Sequence, residues 1–221
     1  MNSPKMNEDL PTSLVIVMDL NPDSWSATSA ADGPEIQEVA EDLLTFLRAF
    51  LLLHSDNTVA FIAAHPSTSK MLYSPQIRAR RLQAAGKIST TLEMDTIDAD
   101  LHQLIVEFSN QVSDAKSCAS KGMPSMLSSA LAIAACYCNK VVSSKVSGNN
   151  VQKTVARVFT ITPGTDFSGQ YVALMNCFFS FEKSGILLDS FVLSESVSSV
   201  VSNLHSPPCC GFSCNVHLPN H

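Results

Sequence analysis

Charge is scarce in this sequence and its sign is skewed: Lys, Arg, Asp and Glu make up 15% of the 221 residues, and the formal net charge is -6. A dedicated nucleic-acid binder carries a basic face, so direct, sequence-specific recognition of DNA or RNA is not expected. The densest cationic cluster, Arg78, Arg80 and Arg81 with Lys87 following, is short and has no interleaved aromatics, which suits a solvated surface. Long apolar runs are also lacking. The run 14–18 is too short for a signal-peptide core or a bilayer span, and the oiliest stretch, residues 43–53, is interrupted by Thr45 and Arg48. An intracellular address away from the membrane is the expectation.

The phosphate-binding patterns Gly-x-Gly-x-x-Gly and Gly-x-x-x-x-Gly-Lys-Ser/Thr are missing, as is the Gly-x-Ser-x-Gly nucleophile turn. Nucleotide chemistry and α/β-hydrolase chemistry lose their usual machinery, and a small-molecule enzyme on a Rossmann-like sheet is a distant third reading. The cysteine count, seven, is odd. Cys118, Cys136, Cys138 and Cys177 are scattered and read as reduced thiols acting as small hydrophobes on buried helices. Cys210, Cys214, His217 and His221 superficially offer zinc ligands, but Pro207, Pro208 and Pro219 and the absence of periodicity favour an irregular tail.

What is present is a core. Hydrophobic residues reach 45%, enough for one domain of ordinary size. Residues 14–19, Leu-Val-Ile-Val-Met-Asp, form a continuous apolar run ending in a carboxylate, as a parallel strand buried on both faces would. Residues 20–34 carry Asn, Asp, Ser, Gly and Pro and read as a loop. Ile36, Val39, Leu43, Leu47 and Phe50 then recur at helical spacing behind an acidic first turn. Residues 58–65 give a second buried strand, and residues 70–73 an antiparallel edge. Helical spacing returns over 101–112 and 127–138; residues 155–162 form a strand; residues 170–183 form a helix with Tyr171, Leu174, Met175 and Phe178 on one side, capped by Gly185; residues 185–193 form the next strand. The alternation predicts a mainly parallel sheet with helices on both faces, whose ligands gather at the carboxyl ends of the strands. We divide the chain into a flexible amino terminus (1–12), one α/β domain (13–203) and an irregular or disordered tail (204–221).

At the carboxyl end of the first strand stand Asp19, Asn21 and Asp23, followed by Trp25. Oxygen-bearing side chains at alternate positions suit a hard divalent cation. The spacing resembles the Asp-x-Ser-x-Ser metal-dependent adhesion motif of von Willebrand factor A domains, with Asn21 and Asp23 in place of the serines and Pro22 stiffening the turn. Asx-type hydrogen bonds within the loop are the favoured reading, so no metal is expected at this degenerate site. His54 and His65 sit at element ends without a nucleophile or ligand partner in sequence, and read as structural.

The Asp-x-Asn-Pro-x-x-Trp pattern at residues 19–25 resembles the family of thirty-four-kilodalton core subunits of the transcription and DNA-repair factor TFIIH. Val59 to His65 followed by Leu72-Tyr73, Leu127-Ser-Ser-Ala-Leu131, Gln170-Tyr-Val-Ala-Leu-Met-Asn-Cys-Phe-Phe179 and Ile186-Leu-Leu-Asp189 fall in the family's order. The resemblance implies a von Willebrand A, Rossmann-like domain without catalysis. It implies a nuclear scaffold that binds a neighbouring TFIIH core subunit bearing its own A domain and zinc modules, in transcription initiation by RNA polymerase II and nucleotide excision repair. Asn21, Asp23 and Trp25 are the expected partner-binding positions. A metal-dependent ligand-binding A domain using Asp19, Asn21 and Asp23 is the alternative. The family continues beyond the equivalent of Leu193 into another helix, a last strand and a four-cysteine zinc module. Here the tail departs, so a missing last strand, no zinc cofactor and lowered stability are expected, and Cys209, Cys210 and Cys214 are not carried over as ligands.

Overall fold

The computed structural model describes residues 10–31, 33–84, 86, 103, 106, 123–144, 154–163 and 168–193. The elements run β1 (Thr12–Asp19), α1 (Pro22–Ala30), α2 (Ile36–Leu53), β2 (Thr58–Ala64), β3 (Ser69–Tyr73), α3 (Pro75–Ala84), α4 (Leu127–Ser144), β4 (Val155–Thr162), a 3-10 turn (Ser168–Gln170), α5 (Tyr171–Ser184) and β5 (Leu187–Val192). The sheet order is β3-β2-β1-β4-β5. β1 pairs in parallel with β2 on one side and β4 on the other, β5 pairs in parallel with β4, and β3 closes one edge antiparallel to β2.

Strand alternation divides β1 between two cores. Val15 and Val17 pack with Ala60, Ile62 and Val158 under Leu127, Leu131, Ala134 and Cys138 of α4 and Leu174, Phe178 and Phe181 of α5. Leu14, Ile16 and Met18 pack with Phe61 under Val39, Leu43 and Leu47 of α2, together with Trp25. A strand covered on both faces has no polar side to show, which is why β1 reads as an unbroken apolar run. The expected doubly covered, mainly parallel sheet is what the chain forms. β5 is an edge among the described residues; the strand expected to be missing, the helix over 101–112 and the tail with its cysteines and histidines fall largely or wholly outside them.

Three expectations are corrected. Residues 20–34 are not simply a loop: α1 starts at Pro22, because Asn21 caps it through Oδ1 accepting from Asp23 N (3.2 Å) and Pro22 supplies a helix-ready φ at N1. On α5 the buried stripe is Leu174, Phe178 and Phe181, while Tyr171 faces solvent. The spacing of three and four residues simply continues toward the carboxyl end of the helix rather than back to Tyr171. Cys136 is exposed on α4, whereas Cys138 is buried and its thiol is pushed up to about 12 by burial, as befits a small hydrophobe. Gly185 does cap α5, at φ 66°, with its N–H returned to Glu182 O.

Polar groups fasten the elements. Asn57, ahead of β2, accepts from Thr12 N at 2.8 Å and donates to Phe50 O at 2.9 Å, joining β1 to the end of α2. Arg157 on β4 makes a two-pronged ion pair with Asp189 on β5, its second contact, Nη2 to Oδ1, at 3.1 Å. Because Leu131 is fully buried, Leu131→Ala is expected to cost about 3 kcal/mol through transfer and cavity terms. Leu53→Ala, at an 80% exposed position, is expected to change stability by less than about 0.5 kcal/mol; urea denaturation of both variants measures the contrast.

Candidate functional site

The carboxyl end of the parallel strands gathers the sequence's candidate residues around one carboxylate. Asp19, the last residue of β1, is fully buried. Its Oδ1 accepts from Asn21 N at 2.9 Å and from the Ser125 hydroxyl, and its main-chain oxygen accepts from Trp25 Nε1 at 2.6 Å. Oδ2 is buried without a hydrogen bond of regular geometry. Burial pushes the carboxyl up to about 6, against the opposing pull of hydrogen bonding from Ser125, Asn21 N and the Thr162 side chain at the end of β4.

Asn21 is committed at both ends of its amide. Oδ1 caps α1, and Nδ2 donates to Met123 O at 3.0 Å, 102 residues away. Trp25 is 3% exposed and sits in the α2-side core. Asp23, in the first turn of α1, faces solvent. The predicted trio is thus brought together at one end of the sheet, with Asp23 at the surface and Asn21 and Trp25 beneath it.

Two contributors were not anticipated from the sequence. Ser125 is fully buried against Asp19. Gln170, in the turn before α5, donates from Nε2 to Ser125 O at 2.6 Å and accepts at Oε1 from Ser128 N (3.1 Å) and the Ser128 hydroxyl (2.8 Å), serving the amino terminus of α4 from a distance. The only local signal for Ser125 was a hydroxyl just before a helical run. His65 is buried, its Nδ1 set against Ser67 Oγ at 2.9 Å, and its carbonyl accepts from Met126 N at 3.2 Å. His54 Nδ1 accepts from Asp56 N at 3.0 Å in the turn after α2. Both histidines are bound up in turns.

Chemically the arrangement is closed. Ser125 and Asp19 form a hydroxyl–carboxylate pair, but neither has surface through which a substrate would reach it. Among the described residues no group of three or more His, Cys, Asp or Glu side chains is placed to hold a metal ion, and no helix is long and apolar enough to cross a membrane.

A parallel sheet with one antiparallel edge, helices on both faces and a polar cluster at the end of its central strand define the chain as a von Willebrand factor A-type domain. The fold is similar to that of the SpRpn10 VWA domain, with a TM-score of 0.50 at 10% identity over 90% of this chain and 85% of that one. It is more similar to the TFIIH p34 N-terminal domain, at a TM-score of 0.65 and 23% identity, covering 89% of this chain and 87% of that one. The family model described as transcription factor Tfb4 matches residues 11–203, and the chain belongs to the Tfb4 family. A relative from Schizosaccharomyces pombe, the general transcription and DNA repair factor IIH subunit tfb4, is 29% identical over 180 residues, covering 80% of this chain and 56% of that protein. The chain spans about half the length of the curated relatives it matches.

The raised pKa of Asp19 carries a pH signature. The folded state holds this proton more tightly than the unfolded chain, so the stability associated with protonated Asp19 is fully present below pH 3.8 and is lost as pH rises through about 6. Asp19→Asn, which keeps an acceptor but no charge, is expected to gain on the parent over that window by on the order of 2–3 kcal/mol. Denaturation midpoints of the two proteins at pH 4 and pH 7 measure it; a difference independent of pH would contradict a raised carboxyl.

Proposed function

We propose that the chain is a non-catalytic structural subunit of the TFIIH core, working in the nucleus in transcription initiation by RNA polymerase II and in nucleotide excision repair. Its task is to hold a neighbouring subunit that carries its own A domain and zinc modules. The observation that carries this reading is the membership of residues 11–203 in the Tfb4 family. The closed polar cluster supports it from the chemistry side, since the groups that would act are consumed in holding loops together. At this end of the sheet, Asp23 meets the partner directly, while Asn21 and Trp25 act from below by fixing the start of α1.

The metal-dependent reading fits the donor set poorly. A hard cation of the Mg²⁺ type needs about six oxygen ligands and keeps several waters. The Asp19 carboxylate has no exposure and already accepts from Ser125 and Asn21 N with Thr162 beside it, and the Asn21 oxygen is turned to an amide. Calorimetric titration with Mg²⁺ or Mn²⁺ is expected to be silent at millimolar concentration; a saturable heat that Asp19→Asn abolishes would revive the alternative.

Coexpression with the TFIIH core subunit bearing an A domain and zinc modules is expected to yield a stoichiometric complex on affinity capture. Absence of the complex, under conditions where the fission-yeast relative captures its own partner, would overturn the scaffold reading for this chain.

A further inference from the structure

The loop leading into α4 is held by its backbone from several sides while its largest side chains are left outside. Met123 O accepts from Asn21 Nδ2 (3.0 Å), Ser125 O from Gln170 Nε2 (2.6 Å) and Met126 O from Ser69 Oγ (2.8 Å), and Met126 N donates to His65 O (3.2 Å). The Ser125 side chain is buried on Asp19. Yet Met123 and Met126 are 45% and 42% exposed. A loop this well tied loses little entropy when something binds it, and unbranched thioether side chains adapt to an apolar surface.

Among the described residues, the charges at the same end of the sheet are chiefly acidic. α1 begins directly after β1, and α2 begins where the chain turns back toward the start of β2, so Asp23 in the first turn of α1 and Glu35 and Glu38 at the start of α2 belong to this end, with Lys70 on β3 opposing them. All four are exposed.

We propose that Met123 and Met126 form the apolar centre of a protein-docking surface whose occupant is an apolar segment of a partner protein flanked by Lys or Arg. Gln170 is the positioning residue that latches the loop from the start of α5. This rests on the scaffold reading and locates its contact on a loop that sequence patterning had treated as a break between helices.

The test uses the full chain and, as probe, the A-domain and zinc-module subunit of the coexpression experiment, with affinity measured at two salt concentrations. Met123→Ser with Met126→Ser is expected to weaken binding about tenfold or more with the melting temperature unchanged, because both side chains already project into solvent. Asp23→Lys is expected to slow association and flatten its salt dependence. Leu52→Ser with Leu53→Ser, at positions 75% and 80% exposed on the far end of α2, is expected to bind like the parent. A folded double-methionine variant with parental affinity overturns the docking surface and leaves the scaffold reading standing; no binding by the parent itself takes both down.

Discussion

A carboxylate at the end of the central strand, cut off from water, obliges the surrounding chain to supply what solvent would. An unpaired buried charge is costly, and the protein answers by bringing a hydroxyl and a main-chain amide to Asp19 from segments about a hundred residues apart in one case and two in the other. The carboxyl still ends near the point where it accepts a proton. Most of the architecture at that end follows from meeting this demand: Ser125 comes to Asp19, Gln170 follows to satisfy the carbonyl of Ser125, and Asn21 ties Met123 to the cap of α1.

The same groups that suggest chemistry in a von Willebrand A domain are thereby used for construction. An Asn at the second position of the degenerate motif has both a donor and an acceptor, and here each end bridges a different backbone segment, which a Ser hydroxyl would span less well.

The strands were legible because burial on both faces writes a continuous apolar run, as in β1 and β2, and α2 was legible because it is long and has one apolar stripe. α1 was not. Its one large apolar residue is Trp25 among Ser, Thr and Ala, so no period announces it, and the Asn21-Pro22 pair that reads as a turn is equally a cap followed by N1. Ser125 and Gln170 were invisible for another reason: their partners lie 106 and 45 residues away, and no local pattern encodes a contact that the sheet topology creates. Asp19, by contrast, stands out in the sequence as a charged residue closing an apolar strand, and in the fold it is buried at the end of β1.

The central place of β1 also has a bearing on how the protein is made. Its parallel partner β4 pairs Val15 with Val158, so about 140 residues must be synthesised between the two halves of that ladder. At 5–20 residues per second this leaves that edge of the strand unpaired for roughly 7–28 s on the ribosome, while β2, α2 and then α4 can cover its other edge and its faces. Nascent-chain chaperones have a defined window in which to act on this molecule, and it closes only when β4 emerges from the exit tunnel.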